Sequence, residues 1–389
     1  MIQLDLIRLS HSWVLVLIGV VWVVYRRIRQ GKSVKLDGPS ENAKPQSPTN
    51  AYYDIEPLKD FNLETTEPIK IRPFKPKYHL TMAIENTTLS DLVAMDKTYT
   101  SRMQLRKHLL TNHFSSVLAT NPKATASIYE FYSWITKTYL PSRFPTIYTL
   151  TPNPPGLKNH TTGEILPLHP PSPTSALQIL GQNIDTDFLF LLPSSSPQDS
   201  SKYRLEAFIT CFPSGFNTPK KLNMLLSEIH GPVPGYAAKL EKSMDRFFAS
   251  LPVGKIVKRL NWSVTTTREL FCLAGTHLTE DEMAGSTDMG LDGGEADRTL
   301  EWQREEVDPE DCVLRCERQT LHRLPESGAL VFGFKTYQYE MRDVKAEGSG
   351  EALADAIEGL GRGSVPGMRV YKREVVWGEK VKRFLRGEV

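Results

Sequence analysis

The residue pattern of this 389-residue chain predicts an α+β fold built on an antiparallel sheet. Segments with helical spacing of apolar residues come first, alternating strand-like runs follow, one helix intervenes, and further strands come after it. No strand leads through a Gly-rich turn into a helix, and neither GxGxxG nor GxxxxGK[ST] occurs, which argues against a nucleotide-binding parallel sheet. With 40% hydrophobic and 24% charged residues, the chain has material for a substantial core.

The first element is expected to be a membrane span. Trp13 to Tyr25 reads WVLVLIGVVWVVY, and counting from Leu6 the stretch reaches 20 residues, about the length that crosses a bilayer core. Arg26, Arg27, Arg29, Lys32 and Lys35 follow where a signal peptide would need small residues for cleavage. That basic stop predicts a retained single-pass anchor over residues 1–35 with a cytosolic body. Residues 36–57, with Pro39, Pro45, Pro48 and Pro57, read as a flexible linker, and 58–345 as the folded domain.

Within that domain, Leu92, Met95, Tyr99 and Met103 recur at helical steps behind Ser90-Asp91 as a cap, and Ile128, Tyr132, Ile135 and Tyr139 repeat the pattern up to Pro141 and Pro145. Residues 152–173 hold seven prolines and read as a loop. Phe188–Leu192 and Arg204–Cys211 are strand-like. In LSEIHGPVPGY, residues 226–236, Pro232 and Pro234 forbid a regular helix. A helix is expected from about Pro234, with Tyr236, Leu240, Met244, Phe247 and Leu251 on one face. KRLNWSV, VLRCERQTLHRL and GALVFGFKTY are strands, the last two joined by a turn at Pro325–Gly328. Residues 280–311 carry 13 Asp/Glu against two Arg and read as a disordered acidic insertion. Residues 346–389 read as a basic tail that could rest on an anionic leaflet, with eight Lys/Arg against three Asp/Glu from Arg362 onward.

Function is constrained first by exclusion. A net charge of +2 gives no electrostatic footprint for nucleic acid. The four cysteines, none in a Cys-x-x-Cys or Cys-x-x-Cys-His frame, support neither a disulfide scaffold nor a zinc ribbon nor covalent haem. Cys312 and Cys316 are expected as small buried residues. His230, held on a proline-stiffened turn ahead of an apolar helix, has the setting a rigid axial imidazole needs. In LRCERQTLHRLP, alternation puts Cys316, Arg318, Thr320 and His322 on one face and Arg315, Glu317 and Gln319 on the other. Buried there, the charges must be paired or hold an anion. Arg318 suits a carboxylate, and Arg259 with Asn261, beside Trp262, is a second such cluster.

The blocks KYHLTMAIE, MDKTYTSRMQLRKHLL, LSEIHGPVPGY, KRLNWSV and LRCERQTLHRLPESGALVFGFKTY, in this order across roughly residues 55–345, resemble the haem-dependent oxidative N-demethylase-like family. The resemblance implies a PAS-like sheet elaborated with helices, a b-type haem, and oxidative removal of a methyl group from a small amine with oxygen. It also implies electron-transfer partners carrying flavin and an iron–sulfur cluster. By position it implies His230 as the axial ligand to the metal, Glu317 as the catalytic carboxylate, and Arg259, Trp262, Arg318, Thr320 and Arg323 as pocket and propionate residues. Where the family often has a Glu-Asp pair before the first sheet strand, this chain reads NIDTDF.

Two other readings stay open at this level. Asp185-Thr186-Asp187 is a D-x-D that in a glycosyltransferase would hold a divalent metal against a sugar nucleotide, and Asn86, Asn159 and Asn261 head glycosylation sequons. A PAS-like haem domain can also be a sensor without turnover.

Overall fold

A computed structural model describes residues 50–199, 202–277 and 303–388. The expected membrane span, most of the linker and residues 280–302 of the acidic insertion lie outside the described residues. Among the described residues no helix is long and apolar enough to cross a membrane.

The centre is a seven-stranded antiparallel sheet. Its strands are β1 (Ile84–Thr87), β2 (Leu118–Thr120), β6 (Asp187–Pro193), β7 (Tyr203–Ile209), β8 (Ile256–Thr265), β9 (Val313–Arg323) and β10 (Leu330–Glu340), in the spatial order β1-β8-β9-β10-β6-β7-β2. The predicted strands are therefore present, and β9 pairs β10 through eleven positions either side of a turn where Gly328 has φ +67°. Three further strands, β3 (Tyr148–Pro152), β4 (Pro155–Asn159) and β5 (Ile165–Leu166), form a small separate sheet. This corrects the expected proline-rich loop: Pro152 and Pro155 pair with each other at the strand ends, where no ladder donor is lost.

Period-two alternation sorts side chains to the two faces of the main sheet. Phe188, Phe190, Val331 and Ile256 pack on one face with the helices α1 (Tyr99–Asn112), α2 (Thr125–Trp134) and α3 (Pro173–Asn183). Further along that face, Trp262, Leu314, Cys316 and Tyr337 join α5 (Gly350–Gly359) and α6 (Glu374–Arg386). Cys312 and Cys316 are fully buried, as expected.

Several boundaries differ from the sequence reading for local reasons. Leu92 and Met95 are buried but precede α1, because Asp96 stops the backbone there: its carboxylate accepts from the amide of Thr98 at 3.0 Å and pairs with Lys335 at 2.6 Å. Pro141 does not end the second helix. A π turn over Ile135–Tyr139 accommodates it, and the helix runs to Arg143, ahead of Pro145. The helix after Pro234 is broken at Leu240 into Tyr236–Lys239 and α4 (Glu241–Ser250). Two domain limits change as well. Tyr52, assigned to the linker, is 2% exposed, lies edge-on to Trp134, and accepts the Trp134 indole N–H on its carbonyl at 2.8 Å. The C-terminal segment is no solvated tail: Leu353, Ile357, Trp377, Val381 and Leu385 are core residues. Much of its basic charge is already matched, since Arg386 bonds Glu351, Asp355 and Glu358. Residues 303–311 of the insertion are also docked, with Lys380 Nζ donating to the carbonyls of Glu305 and Val307.

Candidate functional site

The sheet face opposite the helices α1–α3 carries a cavity of about 280 Å³. From β8, Val257, Arg259, Asn261 and Ser263 alternate onto it; from β9, Arg315, Glu317, Gln319 and Leu321; from β10, Phe332 and Phe334; from β6, Leu189 and Leu191. Leu226, Ile229, His230, Tyr236, Leu240 and Met244 wall the other side, and Tyr78, His277, Met368, Tyr371 and Lys372 complete the polar end. Mostly apolar walls with a few convergent polar groups are the signature of a small-molecule site.

His230 ends the single helical turn Leu226–Ile229, and the following Gly-Pro-Val-Pro-Gly passes through Gly235 at φ +74°. Its ring stacks on Tyr236, centroids 5.0 Å apart at 17°. Nδ1 donates to the carbonyl of Leu226 at 2.8 Å, which fixes the neutral tautomer with the lone pair on Nε2. Among the described residues nothing is bonded to Nε2. Burial pulls the imidazole's pKa below its usual 6.5, and the charges of Arg259 and Lys221 add to this against the Leu226 bond. Neutral and oriented, it is a ready metal ligand.

Glu317 lies across from Asn261, and its Oε2 accepts from the Gln319 amide at 2.8 Å and the Asn261 amide at 3.4 Å. Arg259 is half-buried and makes no hydrogen bond or ion pair among the described residues; its Nε is buried and unpartnered. Thr320 borders the cavity, but its hydroxyl donates to the Gly333 carbonyl at 3.4 Å, and its Oγ1 faces the other side of the sheet with Phe188.

The other predicted site residues are engaged elsewhere. Trp262 sits on the opposite face, edge-on to Phe74 at 5.9 Å. Arg318, on that same face, pairs with Asp91 at 2.8 Å and donates to the carbonyls of Asp91 and Leu92. Arg323 donates to Phe248, Ala249 and Leu251 carbonyls, closing the C-terminal end of α4. Alternation excludes Trp262 and Arg318 from the cavity, and the orphan helix carbonyls capture Arg323. The D-x-D reading is overturned too. Asp185 is buried between Arg102 at 2.6 Å and Lys335 at 3.1 Å, and against burial these cations hold its carboxyl down at about 2. Asp187 accepts from Arg106 at 2.6 Å and from the amides of Cys211 and Phe212. Both carboxylates are buried in ion pairs inside the protein, and neither lines the cavity.

Three more residues line the site: Arg315, whose face the alternation of its strand already gave, and His277 and Lys372, which carried no signal in the sequence. Arg315 has its guanidinium bonded to the carbonyls of Phe212, Pro213, Glu269 and Leu270, with Nε left unpartnered. His277 packs at a 38° tilt against Tyr371, centroids 4.6 Å apart, its Nδ1 3.0 Å from the Thr276 hydroxyl; burial and then Lys372 and Arg315 pull it down to about 3. Gly215, at φ +66°, permits this approach, since a Cβ there would lie 1.8 Å from Thr276 Oγ1 and 2.9 Å from His277 Nδ1. Lys372 is 4% exposed and donates to the Trp262 carbonyl. Burial, and then Arg259, brings it down to about 8.

Fold and site thus define an α+β pocket protein: a central seven-stranded antiparallel sheet, an apolar cavity, the free Nε2 of His230 on its wall, and cations there with no ion pair among the described residues. The family model described as haem-dependent oxidative N-demethylase, alpha subunit-like, matches residues 83–382, and the chain belongs to that family. A comparison with curated proteins finds no match. The match extends through α5 and most of α6, in accord with their place in the core. The residues present fit the cofactor the family name implies: His230 would ligate through Nε2, the apolar walls would take a macrocycle, and the orphaned Arg259 Nε would meet an acidic edge.

Proposed function

We propose that this chain binds a b-type haem in the cavity, with His230 as axial ligand, and removes a methyl group from a small amine by oxidation. The observation that carries the reading is the His230 geometry: Nδ1 committed to a backbone carbonyl, Nε2 free on an apolar cavity wall. Haem, when bound, supplies the oxygen and electron chemistry that no side chain here can. The protein's own part is positioning. Asn261 and Gln319 hold one Glu317 oxygen in place, so its carboxylate can seat a substrate ammonium or take a proton at the cavity surface. Leu189, Leu321, Phe332 and Phe334 keep water from that surface. The antiparallel sheet with a ligand cavity on one face also supports the PAS-like description.

An anchor-free fragment starting near Ser47 tests this directly. It is expected to take up haem with a Soret band that collapses in His230→Ala; a colourless wild-type fragment under excess haem sinks the proposal. Amine-dependent formaldehyde formation with an added electron donor then separates the enzyme from a haem sensor, and Glu317→Gln is expected to reduce it at least tenfold while leaving the Soret band in place. The apolar run Trp13–Tyr25 and its basic flank support a single-pass anchor with the body in the cytosol, which carbonate extraction and protease protection check.

A further inference from the structure

The charges on the cavity wall do not cancel. Arg259, Arg315 and Lys372 line it against a single carboxylate, Glu317, and none of the three is ion-paired among the described residues. Lys372 is nearly inaccessible: its ammonium donates to the Trp262 carbonyl and lies 5.1 Å from the Trp262 ring and 5.7 Å from the Tyr78 ring, with no oxygen besides that carbonyl bonded to it among the described residues. Its position explains how such a cation is held. Strand β1 covers β8 only from Ile256 to Arg259, so beyond that point the outer edge of β8 is open, and Lys372 supplies the donor that a neighbouring strand would have given Trp262. Aromatic faces and one carbonyl offset only part of the cost of burying this ammonium, and the Arg259 Nε beside it has no partner among the described residues, so an anion would complete the site.

We infer that Arg259 and Lys372, flanking Glu317 at the β8 edge, form a cradle for an amphiphilic ligand bearing two carboxylates at one end, its apolar body lying along Leu321 and Phe332. The inference rests on the haem reading for the ligand's body, since a free-acid porphyrin has this layout, but not for its iron. One carboxylate meets Arg259, the other Lys372. The unsatisfied Nε of Arg259 and the two spare N–H bonds of Lys372 are the donors.

The test uses the full chain, purified without haem and titrated with ferric protoporphyrin, iron-free protoporphyrin and iron-free protoporphyrin dimethyl ester, read by quenching of tryptophan fluorescence and by porphyrin absorbance. The iron-free diacid is expected to bind at least tenfold more tightly than its diester. Lys372→Met and, separately, Arg259→Met should each weaken the diacid about tenfold and leave the diester unchanged. Arg259 makes no side-chain hydrogen bond or ion pair among the described residues, so this second variant keeps the test decisive if Lys372→Met melts early. Equal affinity for diacid and diester, diacid binding untouched by both substitutions, or no binding of either overturns the cradle. Failure of the ligation reading looks different: iron-free diacid binds as expected, while iron adds no affinity and His230→Ala changes neither spectrum nor affinity.

Discussion

His230 and His322 show how little a residue type says without its surroundings. His230 keeps one nitrogen on a carbonyl and the other free at a cavity. His322, one residue from the end of β9, is fully buried among Tyr52, Phe131 and Trp134 rings, and neither of its nitrogens has a partner among the described residues. Burial pushes it down from 6.5 to about 3. The unfolded chain therefore takes up a proton below about pH 6.5 that the folded chain refuses until about 3. The titration of this residue costs nothing above pH 6.5, and it destabilises increasingly as pH falls between those values. His322→Leu is expected to remove roughly 3 kcal/mol of acid destabilisation at pH 4, measured as the difference between mutant and wild-type denaturant unfolding at pH 7.5 and 4. An unchanged pH slope refutes it. His230 could be picked out in the sequence because two prolines single out its turn. Lys372 could not, because nothing in VYKREVV marks it as buried; only the missing strand partner of β8 does.

At the scale of elements, the strands were legible because alternation is a local property: the facing of Arg315, Glu317 and Gln319 against Cys316 and Arg318 follows from period two alone. What alternation leaves open is which face meets a cavity and which meets helices, and this is why Arg318 and Trp262 read as pocket residues. The meander β3–β5 and the stop ahead of α1 escaped notice because both depend on distant partners, the latter on Lys335. That lysine ties three elements. It bonds Asp96 before α1 and Asp185 before β6, while Arg102 of α1 holds Asp185 from the other side. Breaking such a group strands buried carboxylates. Lys335→Met is expected to cost about 3–5 kcal/mol in urea unfolding, and the double variant Lys335→Met, Asp96→Leu to recover part of that. A cost below about 1 kcal/mol for the single change would show that these charges are already solvated.

Across the whole molecule, the C-terminal helices complete both the core and the cavity. The chain leaves β10, packs α5 and α6 against the Trp262 face, and on the way lays Met368, Tyr371 and Lys372 along the cavity wall. Trp377 joins the two roles. It is 1% exposed within the core, and its indole N–H donates to the Lys372 carbonyl at 3.1 Å. Between them Arg373 sits at φ +57°, a conformation that costs a non-glycine residue about 1 kcal/mol and that the surrounding packing must enforce. Core and ligand site should therefore respond together, but separably. Trp377→Ala removes bulk and hydrogen bond alike, and is expected to cost about 3–5 kcal/mol by urea unfolding. Trp377→Phe keeps most of the bulk and loses only the bond, so its stability should fall by about 1–2 kcal/mol. Its affinity for iron-free protoporphyrin should fall severalfold, because the turn that aims Lys372 is released. If Trp377→Phe loses stability with affinity intact, the C-terminal helices serve the core alone and Lys372 is placed by the Trp262 carbonyl without their help.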